Sequence, residues 1–152
     1  MPRSRLIGPG SGVRLVLDTN TALSGLLWGG TPGRLVDAAE DGRIELASSV
    51  GLLAELQGVL SREKFTRQLA RRGLTVGDVF DGYAALVVVV TPVAIAPTIL
   101  RDPADDQVLA AALAAQADLI ASGDAHLLDL KSFHSIEIVI AAIAVERIGS
   151  AG

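Results

Sequence analysis

The chain has 152 residues, half of them hydrophobic, with a formal net charge of −4 and a pI near 5.1. This length supports one sizeable core and is too short for two ordinary domains. The negative net charge does not attract nucleic acid, so any binding of nucleic acid must depend on local contacts. With no cysteine and two isolated histidines, disulfides and thiolate zinc sites are excluded. Any bound metal must be held mainly by oxygen.

The first residues of the chain are rich in Gly, Pro and Ser and lack the apolar segment of a secretory signal. We expect a flexible leader over residues 1–12 and one domain over residues 13–150. No apolar stretch reaches the ~18 residues that a membrane span requires, because Thr91 and Pro92 close the run at 86–90. We therefore expect a soluble, cytoplasmic protein with no membrane partner.

Short runs rich in Val, Ile and Leu alternate with longer Ala- and Leu-rich stretches that have helical spacing. Several of the short runs are apolar on both faces, as in a parallel sheet covered by helices on both sides. The pattern predicts an α/β fold with a central, mostly parallel sheet of about five strands. The predicted strands are 13–17, 44–47, 86–90, 119–121 and 136–140. The predicted helices are 21–28, 33–40, 50–60, 63–72, part of 76–86, and 104–116, and residues 141–150 are predicted to form an edge strand or a helix.

Polar residues follow two of the predicted strands directly. Asp18 and Asn20 come after strand 13–17, and Ser122 and Asp124 come after strand 119–121. The carboxyl ends of parallel strands share one edge of the sheet, and ligands bind at that edge in such folds. Asp18 is equally interpretable as a helix N-cap, and Asp124 as the first residue of an Asx turn.

Acidic residues also occur on two predicted helices. Glu55 borders the apolar face of helix 50–60, where an ordinary solvated residue is the alternative interpretation. Asp102, Asp105 and Asp106 surround the start of helix 104–116, where acids complement the helix dipole. Three carboxylates are more than a cap needs. Because Asp105 points roughly 100° away from Asp106, we expect only one of them to face the cleft.

In a doubly wound topology, these acids all project toward one edge of the sheet. Clustered carboxylates raise one another's pKa, so such a cluster is best explained by a bound cation. Hard oxygen ligands select Mg²⁺ or Mn²⁺. These ions can lower the pKa of bound water, orient a phosphodiester and stabilise the departing oxygen. The pattern therefore favours metal-dependent hydrolysis of phosphodiester bonds.

Three segments carry a resemblance to a known family: VRLVLDTNTALSGLL at 13–27, SSVGLLAELQGVLSREKF at 48–65, and residues 101–130, which run from RDPADDQ to SGDAHLLDL. The chain resembles the PIN domains, and among them the VapC-type toxins of bacterial toxin–antitoxin pairs. The resemblance covers nearly the whole chain after the leader. It implies a three-layer α/β/α sandwich.

The resemblance also implies a set of site residues. The acidic quartet is Asp18, Glu55, Asp106 and Asp124, with Asn20 and Ser122 as polar supports. Asp105 is the alternative to Asp106, because PIN relatives with an Asp-Pro-x-Asp-Asn segment place an acid at its position. We take Asp106, whose spacing to Asp124 fits the toxin pattern better, and keep Asp105 as the second choice.

The function that the resemblance implies is cleavage of single-stranded RNA with Mg²⁺ or Mn²⁺, by a homodimer whose antitoxin partner can place its tail in the active cleft. A housekeeping RNA-processing nuclease stays open, as does a non-catalytic binding module, because intact carboxylates do not demonstrate turnover. Two other classes are disfavoured. A phosphoacceptor receiver needs an Asp where Thr91 follows the third strand, and a haloacid-dehalogenase-type phosphatase needs a second Asp where Asn20 stands.

Basic residues are concentrated on one predicted helix. Lys64, Arg67 and Arg71 fall on one helical face, with Arg62 and Arg72 beside it. We expect this face to contact RNA phosphates despite the acidic total, with an ordinary solvated face as the alternative.

Three further residues are assigned no chemistry at this stage. Trp28 and Tyr83 are too isolated in the sequence to form a base-stacking platform, and we interpret them as packing or dimer contacts. His126 is interpreted as a helix-start or surface residue.

Overall fold

A computed structural model gives the fold and describes residues 12–95 and 103–151. Over these residues the chain forms six strands and eight helices. The strands are β1 (Arg14–Leu17), β2 (Glu45–Ser48), β3 (Val88–Val89), β4 (Leu119–Ala121), β5 (Ser132–Phe133) and β6 (Ile136–Val139). The helices are α1 (Thr19–Trp28), α2 (Gly30–Glu40), α3 (Val50–Leu60), α4 (Glu63–Arg71), α5 (Val76–Leu86), α6 (Pro103–Ala115), α7 (Ala125–Leu130) and α8 (Ala141–Ala151).

The strands form one sheet in the order β3-β2-β1-β4-β6-β5. All neighbours pair in parallel except β5, which runs antiparallel to β6. After β1 the chain winds outward through β2 and β3, whereas after β4 it winds in the other direction to β6. The winding therefore reverses between β1 and β4, whose last residues, Leu17 and Ala121, are partners in the register. The carboxyl ends of two such strands border the usual ligand crevice of a doubly wound sheet.

Each face of the sheet is covered by its own apolar core. Leu15 and Leu17 of β1 contribute to one core, which is built with residues of α1 to α5 and α8. Val16, which points the opposite way along the pleat, contributes to the other core with residues of α6 and α7 and with Ile120 of β4. Leu15, Val16 and Ile120 are completely buried. Two helical layers thus enclose the sheet, and the predicted α/β/α sandwich with a mostly parallel sheet is confirmed.

Several details differ from the sequence predictions. The sheet has six strands rather than about five, because the two-residue β5 is too short to show a strand pattern. The third predicted strand, 86–90, is reduced to two residues since α5 continues through Leu86. Residues 141–150 lie in a helix, the second of the two expected forms. Residues 1–11 of the predicted leader lie outside the described residues, as does Asp102. In the part of the chain that the structure describes, no helix has both the length and the apolarity to cross a membrane.

Two helix glycines differ in the space around them, which predicts opposite effects when each is replaced by alanine. A Cβ added at Gly25 would lie 3.1 Å from the carbonyl oxygen of Pro32, whereas one added at Gly58 on α3 meets nothing within 4 Å. We expect Gly58→Ala to raise the free energy of unfolding by about 0.5–1 kcal/mol, because glycine loses more backbone entropy on folding than alanine. Gly25→Ala should lower that free energy, because the Pro32 backbone has to shift. Chemical denaturation of both variants tests this, and equal stabilisation would show that α1 and α2 can separate without penalty.

Candidate active site

Asp18 lies where β1 meets β4. Its backbone N–H donates to the Ala121 carbonyl at 3.2 Å, so the ladder between the two strands continues one residue past β1. Its carboxylate is 6% exposed and accepts two hydrogen bonds: Oδ1 from the Thr21 N–H at 2.8 Å, and Oδ2 from the Ser122 hydroxyl at 2.5 Å. Asp18 is therefore the N-cap of α1. Capping does not exclude a ligand role, because a carboxylate offers about four lone-pair sites.

Ser122 joins the two acidic strand ends. While its hydroxyl donates to Asp18, the same oxygen accepts from the Asp124 backbone N–H at 2.9 Å. Asp124 in turn accepts through Oδ1 from the N–H groups of His126 at 2.8 Å and Leu127 at 3.1 Å, which makes it the N-cap of α7. Ser122 is 1% exposed, so this link is shielded from water. The positions of the Asp18 and Asp124 side chains are coupled through one buried hydroxyl.

Glu55 reaches the same region from α3. The hydroxyl of Thr19, the first residue of α1, donates to Glu55 Oε1 at 2.5 Å. The side chain of Glu55 is exposed, as the alternative interpretation of a solvated helix residue expected. It nevertheless lines the cleft with the other acids.

The cleft has a volume of about 290 Å³ and lies at the carboxyl edge of β1 and β4. Four of the residues that line it are acidic: Asp18, Glu55, Asp105 and Asp124. Asn20, one of the predicted supporting residues, lines the cleft as well. The acids come from the end of β1, from α3, from the first turn of α6 and from the segment after β4. The doubly wound topology has brought together acids that are distant in sequence, with more than 100 residues between Asp18 and Asp124.

The structure places Asp105, and not the preferred Asp106, among the residues that line the cleft, and which of the two binds a metal stays a prediction. Asp105 is 7% exposed and lines the cleft, whereas Asp106 is partly exposed and is not among the lining residues. Neighbouring helix residues point about 100° apart, so only the packing of α6 decides between them. Val108, three residues after Asp105 and on the same side of α6, lines the cleft and joins the core beneath it. That packing turns Asp105 inward.

His126 joins the acidic cluster, which its sequence context did not predict. One donor atom each of Asp105, Asp124 and His126 lie within 4.8 Å of one another. The imidazole is 46% exposed, its Nδ1 lies 3.9 Å from Asp124 Oδ1, and His126 is not among the residues that line the cleft. The only sequence signal was its position two residues after Asp124, which places it in the first turn of α7.

The predicted RNA-contacting strip lies on α4, outside the cleft lining. Lys64, Arg67 and Arg71 are all exposed. Arg67 forms an ion pair with Glu63, and the Lys64 ammonium lies 4.9 Å from the centre of the Phe65 ring. The role of this strip in RNA binding stays a prediction.

The sequence of the chain matches a known protein family. The family model of the PIN domain matches residues 14–126. The chain belongs to the PIN-domain family. PIN domains are generally metal-dependent nucleases, and the matched segment of this PIN domain includes all four cleft acids as well as His126. Searches of curated proteins and of solved structures gave no match to the chain.

Tyr83 of α5 lies in the core of this PIN domain and is 4% exposed. Burial, and to a smaller extent the negative charge of Asp18, raise the pKa of Tyr83 above its ordinary range. The phenol therefore stays protonated in the folded protein at all moderate pH values.

The single tyrosine of the chain makes this shift measurable, because an alkaline absorbance titration reports Tyr83 alone. The folded state holds the phenolic proton above pH ~10, where the unfolded state has lost it. The stabilising contribution is thus complete below pH ~10 and is lost as the pH rises through the raised pKa. We expect ionisation of Tyr83 to coincide with alkaline unfolding. Asp18→Asn should move this unfolding to a slightly higher pH, because loss of the neighbouring negative charge lowers the folded-state pKa of Tyr83 while burial, the larger cause of the raised pKa, remains. Ionisation near pH ~10 in the folded protein would contradict the buried placement.

Proposed function

We propose that this PIN domain is a metal-dependent endoribonuclease that hydrolyses phosphodiester bonds of single-stranded RNA. The observation that carries the proposal is the convergence of Asp18, Glu55, Asp105 and Asp124 in one cleft at the carboxyl edge of the sheet. A helix cap needs one carboxylate, and Glu55 lies within α3, whose N-cap is Ser49, so Glu55 caps no helix. A bound cation explains the clustering of these four carboxylates better than a structural role does.

The donor set fits a hard divalent cation. Two ligands of one Mg²⁺ or Mn²⁺ ion, each at about 2.1 Å, are separated by at most about 4.2 Å. The donor atoms of Asp105, Asp124 and His126 already lie within 4.8 Å of one another, so small side-chain rotations would bring them to ligand spacing. Asp105 and Asp124 would hold the ion, with Asp18 beside them. A histidine among carboxylates makes Mn²⁺ a better match than for carboxylates alone.

When bound, such an ion supplies an activated water and neutralises charge on the phosphate. The residues of the chain supply the rest. Asp18 and Asp105 are almost fully buried, so their charges act in a medium of low effective dielectric. Ser122 orients Asp18 through its hydroxyl. Glu55 is held by Thr19 but exposed to solvent, which suits a group that exchanges protons with water during hydrolysis.

We further propose that the protein is the toxin of a toxin–antitoxin pair, acting as a homodimer whose antitoxin partner binds at the cleft. The support for this is the resemblance of segments 13–27, 48–65 and 101–130 to VapC-type toxins. Expression of the protein should arrest growth, and co-expression of a small protein encoded beside it should relieve the arrest. RNA cleavage without growth arrest would instead identify a housekeeping RNA-processing nuclease.

Asp18→Asn tests the ribonuclease proposal directly. Asparagine keeps the cap, since Oδ1 can still accept from the Thr21 N–H, but it removes the negative charge that a hard cation needs. We expect cleavage of a labelled single-stranded RNA to fall by more than about 100-fold, because even groups that only orient metal ligands contribute 10–100-fold. Mn²⁺ affinity measured by calorimetry should fall as well, while thermal stability without metal is retained. Undiminished cleavage and Mn²⁺ binding by the variant would remove the proposed site.

The ribonuclease proposal has two controls of substrate and turnover. A single-stranded DNA of the same sequence controls for RNA specificity. Binding of RNA by the parent protein without cleavage, in the presence of Mn²⁺, would identify a non-catalytic binding module instead of a nuclease.

Asp105→Asn and Asp106→Asn form a matched pair, because the two residues are neighbours on α6 and differ in the direction they face. We expect Asp105→Asn to abolish measurable cleavage and weaken Mn²⁺ binding. Asp106→Asn should leave both within about twofold of the parent, as is usual for a surface substitution worth less than about 0.5 kcal/mol. The reverse pattern would restore Asp106 as the metal-facing acid.

A further inference from the structure

The cleft contains one basic side chain among its lining residues. Arg62 lines it together with the four acids, whereas the other cations of the α4 region do not. We propose that Arg62 is a positioning residue that contacts a backbone phosphate of the substrate strand in this cleft. This inference rests on the proposed ribonuclease function and assigns the contact that a strongly acidic cleft needs in order to hold an anionic strand.

The backbone context leaves the Arg62 side chain available. Arg62 is the N-cap residue of α4 in an extended conformation, and its side chain makes no capping hydrogen bond. Among residues 12–95 and 103–151, no acidic side chain forms an ion pair with its guanidinium. In contrast, Arg14 pairs with Glu45 and Arg67 pairs with Glu63. An arginine that lines an acidic cleft but pairs with none of its acids is free to bind a ligand anion.

The chemistry of the guanidinium suits a phosphate. It is charged at every physiological pH and presents planar donors that match phosphate oxygens in a bidentate manner. Arg62 lies two residues after the end of α3, the helix that carries Glu55, and the side chains of both residues line the cleft. A phosphate bound in the cleft would therefore lie in the same cavity as Arg62 and the four acids.

A competing role for Arg62 is neutralisation of the acidic cluster without substrate contact. The two roles predict different responses to loss of the positive charge. A phosphate contact predicts weaker RNA binding together with unchanged or tighter Mn²⁺ binding, since a cation that repels Mn²⁺ has been removed. Neutralisation alone predicts tighter Mn²⁺ binding with no loss of RNA affinity.

The experiment compares Arg62→Gln, Arg62→Lys and Arg72→Gln. Arg72 is the matched control, because it is the C-cap residue at the other end of α4 and is exposed but does not line the cleft. Cleavage kinetics and Mn²⁺ calorimetry are measured on each variant. Affinity for a labelled single-stranded oligoribonucleotide is measured by fluorescence anisotropy across a salt series in an Asp18→Asn background, so that the strand stays intact, and at an Mn²⁺ concentration that saturates the weakened metal site of that variant.

We expect Arg62→Gln to raise KM about tenfold and to reduce the salt slope of binding by about 0.7, the value for one lost contact to a single strand. Arg62→Lys should recover part of the affinity, and Arg72→Gln should behave like the parent. Mn²⁺ affinity in Arg62→Gln should be unchanged or higher, which a misfolded variant would not show.

Three results would overturn the inference: RNA affinity of Arg62→Gln equal to that of the parent, weakening of RNA and Mn²⁺ binding together, or equal losses in Arg62→Gln and Arg72→Gln. The last result would assign RNA binding to the diffuse strip on α4. A parent protein that binds RNA but does not cleave it would contradict the ribonuclease proposal, while the anisotropy comparison would still decide the role of Arg62.

Discussion

The pairing of β1 with β4 at the centre of the sheet is the constraint on which the site depends. Leu17 and Ala121 are register partners, and the Asp18 N–H continues the ladder to the Ala121 carbonyl. A slip of one residue in this register would reverse the faces of every side chain on one strand and separate Asp18 from Ser122. The completely buried residues of both strands oppose such a slip, because it would turn Leu15 or Ile120 out of its own core toward the opposite face of the sheet. Core packing thereby holds the acidic edge in place.

Asp18 and Asp124 can cap their helices and still bind a ligand in the cleft. Asp18 and Asp124 each cap a helix, and each leaves acceptor capacity that the caps do not use. The capping bonds restrict the rotation of both carboxylates before any ligand arrives. A site whose ligands are already oriented loses less conformational entropy on binding than one built from free side chains. The helix-cap interpretation of Asp18 was therefore correct for its local structure, and it did not compete with a role at the edge of the sheet.

Sequence patterns predicted those parts of the structure that depend on the order of residues along the chain. The apolar strands followed by polar residues identified the carboxyl edge and, with it, Asp18, Ser122 and Asp124. The rotation of α6 was not predictable in the same way, because that helix is rich in alanine and buries residues on more than one side, so its periodicity does not single out one face. Asp105 and Asp106 were consequently indistinguishable until the packing of Val108 was known. His126 and Arg62 depend on the paths of α7 and α4, which local patterns do not specify.

The acidic charge of the chain has a consequence for how it can bind RNA. A protein with a net charge of −4 gains little general attraction to a phosphate backbone, so under the proposed function its affinity for RNA would have to come from local contacts. Without a cation, the four cleft acids repel the strand and outweigh the single positive charge of Arg62. A divalent cation would compensate half of that negative charge and, together with Arg62, would leave the cleft close to neutral. The same carboxylates would then exclude RNA in the absence of metal and admit it in the presence of metal. Under the proposed function, substrate binding becomes conditional on metal binding, because one acidic cluster determines both.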